Sequence, residues 1–466
     1  MKRLWGAALL ALAAANCTVG PNYHLPARAT ANAPDAKGAF VNGGEAAFAQ
    51  ASLPDHWWRL YDDLRLDSYV REALAANTDL RAADANLRRA TLAIREAQAA
   101  QTVGTSVLGS VADTRAAGID ILSFPGYSYS LGGAISYPLD LSGGIRRAVE
   151  AARANAEAVQ AARDQVRVTV AAAVARNYVT VCSANRSLAA AEHVVGIERR
   201  TLDEVRRLFQ GGRATAFDVT RAQTAVDQSA AAIPPIIAQR QAALYVLAAL
   251  MGRPAASYPR ELQDCPAPPD LREPLPVGDG AALIRRRSDV RSAERSLAAA
   301  TAAIGIETAK LYPDVTIGGA LGFAGPFSTI GAGSNFGGNI GPLVSWTFPN
   351  RSVAHARIAE AGAAAEAADA RFDGTVLSAL QQTETALNGY VRELDHNRQL
   401  RQARDSAATA SGQATTLFRF GRTGILDVLN AEANLATAET AVAASDEALA
   451  DDQANVFLTL GGGWES

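Results

Sequence analysis

Four segments of the chain alternate between apolar and polar residues, which is the pattern of a β-strand with one apolar and one polar face. The predicted strands cover residues 102–113, 127–139, 313–323 and 338–348. On the second strand, Tyr129, Leu131 and Ile135 share one face, whereas serine, glycine and alanine occupy the other. Each strand is about as long as a tilted membrane-spanning strand, for which roughly 9 to 11 residues suffice.

Four strands are too few to close a membrane barrel, because about eight is the smallest closed size and open strand edges are not tolerated in lipid. We therefore predict that other chains supply the missing strands. The loops at about 114–126 and 324–337 are then expected to be extracellular, as the longer loops of such barrels are. A soluble sheet with one buried face is the alternative that alternation alone leaves open.

Helical periodicity fills most of the remaining chain. Apolar spacing and helix breakers predict helices over about 64–100, 146–209 and 215–250, and again over about 281–310, 351–419 and 425–458. At 1.5 Å per residue, the two shorter helices of each half together match the length of the long one. Alanine, the best helix former, is abundant in these segments. Pro234 and Pro235 predict a kink within the third helix.

The chain repeats itself at an offset of 209 residues. The stretch "LFQGGRATAFDV" from Leu208 returns as "LFRFGRTGILDV" from Leu417, with six of the twelve positions identical. Each half has the order helix, strand, loop, strand, long helix, tight turn, helix. We predict a first repeat over 64–252 and a second over 281–460, joined by a connector at 253–280 and followed by a tail at 461–466.

The repeated stretch has the chemistry of a turn between two helices. Gly212 and Gly421 can adopt the positive backbone dihedral that ends a helix. Thr215 and Asp218 fit a capping box for the next helix, and Asp427 lies in a first turn, where the helix dipole favours an anion. These residues either build a helical hairpin and nothing more, or they also form a functional tip.

The N-terminus carries the pattern of a secretory signal, because Lys2 and Arg3 precede an apolar core at 4–15 that is too short to span a bilayer. We predict a signal peptide over 1–16 and a lipid-anchored segment over 17–63. Cys17 resembles the acylated cysteine of bacterial lipoproteins, although Asn16 departs from the small residue that usually precedes it. A plain signal peptide with an incidental Cys17 is the alternative.

Composition excludes several classes of function. The net charge of −3 and the pI of about 6.0 argue against nucleic-acid binding, which requires a basic surface. The five histidines are scattered without metal-ligand spacing, so we predict no enzyme, no metal and no cofactor other than a covalent lipid on Cys17. Cys182 lies in a helical run and Cys265 in a proline-rich connector, so free thiols are expected rather than a disulfide.

Several stretches together resemble the outer membrane factor family of tripartite efflux and type I secretion systems, and most of all its NodT-type lipoproteins. They include "CTVGPNYHLP" from Cys17, "WWRLYDDLRLDSYVREALAANTDLRAA" from Trp57, "YPLDLSGGIRRAVEAA" from Tyr137 and the terminal "LGGGW". The resemblance implies a mostly α-helical homotrimer whose strands, four per chain, form a 12-stranded outer-membrane β-barrel continued by a 12-helix periplasmic α-barrel. An equatorial belt would combine the N-terminal segment, the connector and the C-terminus.

The function implied by this resemblance is an outer-membrane exit duct, which passively conducts small molecules expelled by an inner-membrane pump through a periplasmic adaptor. A type I protein secretion duct is the alternative within the family. A structural coiled-coil surface lipoprotein would share the alanine-rich helices but would have no need of the strands. Ser288 stands where the family has proline, which affects local geometry only.

The resemblance also implies a periplasmic gate at the hairpin tips. Asp427 matches an acidic ring position, Asn430 stands where a second acid is common, and Asp218 matches an acid of the outer hairpin. Three Asp427 carboxylates of a trimer would favour cations, divalent ions included. An Asp427 that only caps its helix is the alternative.

Further tip residues are assigned by the same comparison. Phe418 replaces a tyrosine found in some members, so closure is expected to depend on Arg422, Thr423 and the packing of Phe418. The absent hydroxyl removes one hydrogen bond, worth about 1 kcal/mol net. The turns themselves, with Gly212, Arg213 and Gly421, are expected to contact the adaptor.

Overall fold

The structure is a computed structural model that describes residues 18–114, 126–269, 271, 274–346 and 351–462. The signal peptide at 1–16, Cys17, most of the loop at 114–126 and the end of the tail lie outside the described residues. The chain divides into two compact units. The first contains residues 18–29, 86–160 and 292–373, and the second contains residues 30–85, 161–291 and 374–462.

Long helices and one set of strands make up most of the described chain. The helices are α1 (Leu64–Ala76), α2 (Thr78–Ala99), α3 (Gly144–Gln210), α4 (Ala216–Ala231), α5 (Ile233–Leu250), α6 (Gly280–Arg286), α7 (Ser288–Ala309), α8 (Arg351–Arg419) and α9 (Ile425–Thr459). The strands are β1 (Gly104–Thr114), β2 (Gly126–Leu139), β3 (Asp314–Pro326) and β4 (Phe336–Ser345). The order helix, strand, strand, long helix, turn, helix occurs in both halves.

Two of the expected helices are broken near their beginnings. The helix expected over 64–100 divides at Asn77, which leaves helical geometry with a ψ of 134°. Its side chain accepts hydrogen bonds from the N–H groups of Asp79 and Leu80 at 2.9 and 3.1 Å. Such an asparagine competes with the helix for backbone donors and starts a new one. The helix expected over 281–310 also divides, at Arg287, whose backbone is extended.

The kink predicted at Pro234 and Pro235 is confirmed as a helix boundary, because both prolines stand in the first turn of α5 and Ala232 separates it from α4. By length and composition alone, Ala216–Leu250 could cross a membrane. This stretch belongs to the second unit, where Leu244 and Leu247 are completely buried in the core.

In the first unit, the strands form an antiparallel sheet in the order β1-β2-β3-β4. The register places Leu131 opposite Phe323 on one face and Gly132 opposite Gly322 on the other. Large side chains of the apolar face are exposed, with Val107 at 81 %. A half-buried soluble sheet would cover this face, whereas a strand that faces lipid exposes it.

Several strand boundaries differ from the expected ones, and β1 begins at Gly104 rather than at 102. β3 continues to Pro326 rather than ending at 323, so the loop expected from 324 begins with a short 3₁₀ turn at Phe327–Thr329. β4 begins at Phe336 and ends at Ser345, while positions 347 and 348 of the expected strand lie outside the described residues. The extra residues of β3 belong to a glycine- and alanine-rich stretch in which apolar alternation is weak.

In the second unit, the core joins segments that are far apart in sequence. Two short strands, Phe48–Ala49 and Leu275–Pro276, pair in parallel and connect the N-terminal segment to the connector. The fully buried ring of Trp57 stacks on Phe457 near the end of α9, with 4.4 Å between ring centroids. The N-terminal segment, the connector and the C-terminal helix therefore share one core.

The expectation of free thiols at Cys182 and Cys265 was wrong. The two residues form a disulfide with 5.1 Å between their Cα atoms. The connector lies along α3 because the side chain of Asn185 donates to the carbonyl oxygens of Leu262 and Cys265, at 3.0 and 2.9 Å. A sequence separation of 83 residues hides this proximity, since only packing brings the two cysteines within bonding distance.

Candidate functional site

The first hairpin tip begins where α3 ends, and the predicted glycine turn is confirmed. Gly212 has a φ of +71°, which favours glycine. The N–H of Gly212 donates to the carbonyl of Phe209 at 3.0 Å, and that of Arg213 donates to the carbonyl of Leu208 at 2.7 Å. These paired bonds satisfy carbonyl groups that the end of a helix leaves free.

The capping box predicted for α4 is also confirmed. The Asp218 carboxylate accepts the backbone N–H of Thr215 at 2.9 Å and its hydroxyl at 2.7 Å, while the Thr215 hydroxyl accepts the N–H of Asp218 at 3.2 Å. Because the backbone and hydroxyl of Thr215 favour the charged form, they hold the pKa of the Asp218 carboxyl below its ordinary value. The Asp218 carboxylate is therefore charged and hydrogen-bonded to Thr215, the N-cap residue of its own helix.

The second tip, between α8 and α9, has the same backbone geometry. Gly421 has a φ of +65°, and the N–H of Arg422 donates to the carbonyl of Leu417 at 2.9 Å. Asp427 lies in the first turn of α9, as predicted, and its carboxylate accepts the hydroxyl proton of Thr423. Two of the predicted gate residues are thus in direct contact.

The other predicted tip residues differ in exposure. Phe418 is half-buried, whereas Arg422 and Asn430 are exposed. The sequence analysis missed a set of apolar side chains that are exposed at the two tips, although aromatic residues in a polar turn are a readable signal. This set comprises Phe209, Phe217, Phe420 and Leu426, of which Phe420 is 77 % exposed.

A small apolar cluster joins the two hairpins beneath their tips. Leu202, Val205, Ala222 and Val226 are its buried members, from α3 and α4, and Leu429 of α9 packs against them. Three of the four hairpin helices, α3, α4 and α9, therefore meet in this cluster.

Both halves of the chain, each with two strands and a hairpin, match one known family. The model of the outer membrane efflux protein family matches residues 69–253 and 281–462, one match in each half. The chain belongs to the outer membrane efflux protein family.

Relatives agree with the family assignment. Nodulation protein T of Rhizobium leguminosarum bv. trifolii is 27% identical over 458 residues, which cover 96% of this chain and 95% of that one. The pyoverdine export outer membrane protein OpmQ of Pseudomonas aeruginosa is 28% identical over 450 residues, covering 90% of each. The solved outer-membrane channel OprN is 29% identical with a TM-score of 0.88, covering 96% of this chain and 100% of that one.

The predicted family, the location in the outer membrane and the function as an efflux duct are therefore confirmed. In this outer membrane efflux protein, residues 69–253 and 281–462 together include both hairpin tips and all four strands of the sheet.

Behind the tips, this efflux protein buries two carboxyl groups that sequence analysis missed. Glu432 of α9 accepts the hydroxyl proton of Thr201 at 2.7 Å, and Glu198 of α3 lies close enough for their charges to interact. Burial raises the pKa of both carboxyl groups, and the charge of Glu198 raises the pKa of Glu432 further. The readable signal is a glutamate at an apolar helical spacing, between Val428 and Leu435.

A raised pKa predicts how stability changes with pH. Folded Glu432 keeps its proton at pH values where the unfolded chain has lost it, so stability is highest in acid and falls as pH rises above the ordinary glutamate range. Glu432→Gln removes this titration and is expected to raise the thermal midpoint at pH 8 more than at pH 5. The exposed Glu192→Gln on α3 is the control. Equal midpoint changes at both pH values would contradict the assignment.

Proposed function

We propose that this protein is the outer-membrane exit duct of a tripartite system, in which an inner-membrane pump expels small molecules through a periplasmic adaptor. Conduction is passive and the chain has no catalytic role. The toluene efflux pump outer membrane protein TtgC of Pseudomonas putida, 27% identical over 99% of this chain and 96% of its own, supports the proposal. Toluene is a small molecule, which favours small-molecule efflux over protein secretion.

The observation that carries the proposal is the two-faced sheet. Opposite the apolar face, in-register rows of uncharged and mostly small residues run across the four strands. One row is Ser106, Ala134, Ala320 and Asn339, and the next is Leu108, Gly132, Gly322 and Gly337. Without charges in these rows, such a wall lets solutes of either sign pass.

A homotrimer is the assembly that suits this sheet. Three copies of the four strands would supply twelve, which exceeds the smallest closed barrel of about eight. Closure would pair the outer edges of β1 and β4 with neighbouring copies, leaving no strand edge in lipid. The helical hairpins of three copies would then surround one passage.

In this assembly the tips form the periplasmic gate and the docking site of the adaptor. Asp427 contributes the charge at the aperture, where the Thr423 hydroxyl orients its carboxylate. Arg422, Asn430 and Phe418 complete the closed contact, with Asp218 on the outer hairpin. The turns with Gly212, Arg213 and Gly421 contact the adaptor. Exposed Phe217 and Phe420 add apolar area of the kind found at protein interfaces.

Planar-bilayer recordings of purified trimers test the gate. Asp427→Ala is expected to abolish most of the cation preference and to weaken block by divalent cations, since a threefold aperture loses all three of its carboxylates. The matched control is Thr423→Val, which removes the hydroxyl partner of Asp427 but keeps the charge, so selectivity should persist. Unchanged currents in Asp427→Ala would reduce Asp427 to a structural residue in the first turn of α9.

A covalent lipid on Cys17 is part of the same proposal. It would tether the N-terminal segment to the membrane in which the sheet lies. The apolar signal core before Cys17 supports it, and the segment that begins at Thr18 gives it a defined attachment point.

A further inference from the structure

The residues that directly follow Cys17 are held against the first unit by one buried arginine. The side chain of Arg147, in the first turn of α3, is only 3% exposed. Its Nε donates to the carbonyl of Val19 at 3.0 Å, and its Nη2 donates to the carbonyl of Gly20 at 3.0 Å and to Asn22 Oδ1 at 2.8 Å. The remaining Nη1 pairs with Glu150 at 2.7 Å.

A second set of contacts fixes the same segment from the strand side. The N–H of Val19 donates to the carbonyl of Ser142, three residues beyond the end of β2, at 3.0 Å. Thr18 lies directly over Gly143: a Cβ added at Gly143 would be 2.7 Å from the Cα of Thr18. Gly143 also has a φ of +79°, so a side chain there would be strained as well as obstructed.

On the side of α7, glycines also let the segment at 18–22 approach closely. A Cβ added at Gly20 would lie 2.5 Å from the Cα of Gly305 on α7, and one added at Gly305 would lie 2.7 Å from Cγ of Arg147. Backbone therefore packs on backbone, with the guanidinium filling the remaining space. We call the site formed by Gly143, Gly305 and Arg147 the anchor slot.

The energetics indicate a dedicated site rather than an incidental contact. A buried guanidinium is costly unless hydrogen bonds satisfy it, and most of the partners of Arg147 belong to residues 19–22. Terminal segments without regular secondary structure are ordinarily poorly ordered unless other groups bind them. Arg147 binds this one within two residues of Cys17.

We propose that the anchor slot is the docking site for the lipid-bearing end of the chain, and that Arg147 is its positioning residue. This rests on the lipid proposed for Cys17. Two residues span at most about 7 Å, so the slot keeps the acylated cysteine within that distance of Val19, beside the junction of β2 and α3. Exposed Leu141 stands at this junction. The acyl chains then enter the bilayer next to the strand ends. An unbound N-terminal segment would leave their position variable.

Hydrogen exchange of the full-length protein in lipid nanodiscs tests the docking. The Val19 amide should be protected in the wild type and should exchange roughly tenfold faster or more in Arg147→Ala, because each hydrogen bond to a charged group is worth about that factor. The exposed Arg153→Ala, on the same helix, is the matched control and should match the wild type. Gly20→Ala alters only the docked segment and should also release it, even where Arg147→Ala does not fold. Equal exchange in all four proteins would overturn the slot.

The position of the lipid is tested by a photoactivatable fatty acid fed to the cells that make the protein. Wild-type crosslinks should concentrate on residues flanking the slot, at about 139–146 and 305–314, and should spread over the strands in Arg147→Ala. Equally spread crosslinks in both proteins would overturn the positioning role. A Cys17→Ser variant separates the two claims. If the wild type carries no lipid by mass yet Val19 stays protected in both proteins, the lipid proposal fails and the positioning of acyl chains with it, while the docking of residues 18–22 stands.

Discussion

Replacing Trp57 with alanine is expected to lower the free energy of unfolding by about 3–5 kcal/mol, the usual cost of deleting a buried aromatic side chain. Trp57 is fully buried and stacks on Phe457 at 4.4 Å, and Trp58 meets it edge-on at 6.0 Å between centroids. The loss would separate the N-terminal segment from the end of α9. Chemical denaturation followed by tryptophan fluorescence or circular dichroism measures it.

Trp57→Phe is the matched variant for this position. The indole Nε1 is buried and has no hydrogen-bond partner among the described residues. Phenylalanine keeps a ring against Phe457. It also removes the unsatisfied donor, which offsets part of the stability lost with the smaller side chain. We therefore expect Trp57→Phe to cost clearly less than Trp57→Ala. A Trp57→Ala protein within about 1 kcal/mol of the wild type would mean that the stack does not hold the segment.

Removing the disulfide should have a comparable effect. The double variant Cys182→Ala and Cys265→Ala is expected to lose about 2–5 kcal/mol of stability. The bond closes a loop between residues 83 apart, so its loss releases a large amount of chain entropy in the unfolded state. It also leaves the connector attached to α3 mainly through Asn185.

Reduction of the wild type under denaturing conditions, followed by refolding with the thiols blocked, should reproduce the unfolding midpoint of the double variant. Asn185→Ala, which keeps the disulfide but removes two hydrogen bonds to the connector, is the control and should cost less. A double variant as stable as the wild type would show that packing alone holds the connector. The disulfide suits a protein of the outer membrane, because bonds of this kind persist outside the reducing cytosol.

The secretory signal already pointed to that oxidising compartment, yet free thiols were expected, because Cys182 and Cys265 lie in segments of different character. The evidence that decided the pairing was spatial. Spatial evidence was also needed for Glu198 and Glu432. These residues are 234 positions apart in the sequence and interact only because α3 and α9 pack together. In the stretch "GGIRRAVEAA", nothing distinguishes Arg147 from other basic residues. Only the structure shows that it binds the segment at 18–22.

What the sequence determined by itself was local in origin. The alternation around Leu131 produces a two-faced strand because side chains point to opposite faces at every step, and Gly212 and Gly421 end helices because only glycine adopts positive φ without cost. Because the stretch from Leu208 recurs at an offset of 209 residues, the sequence predicted both turns. The tertiary structure alone decided the disulfide, the buried carboxyl groups and the anchor slot. Each of these depends on partners brought together from distant positions, which no periodicity or short motif records.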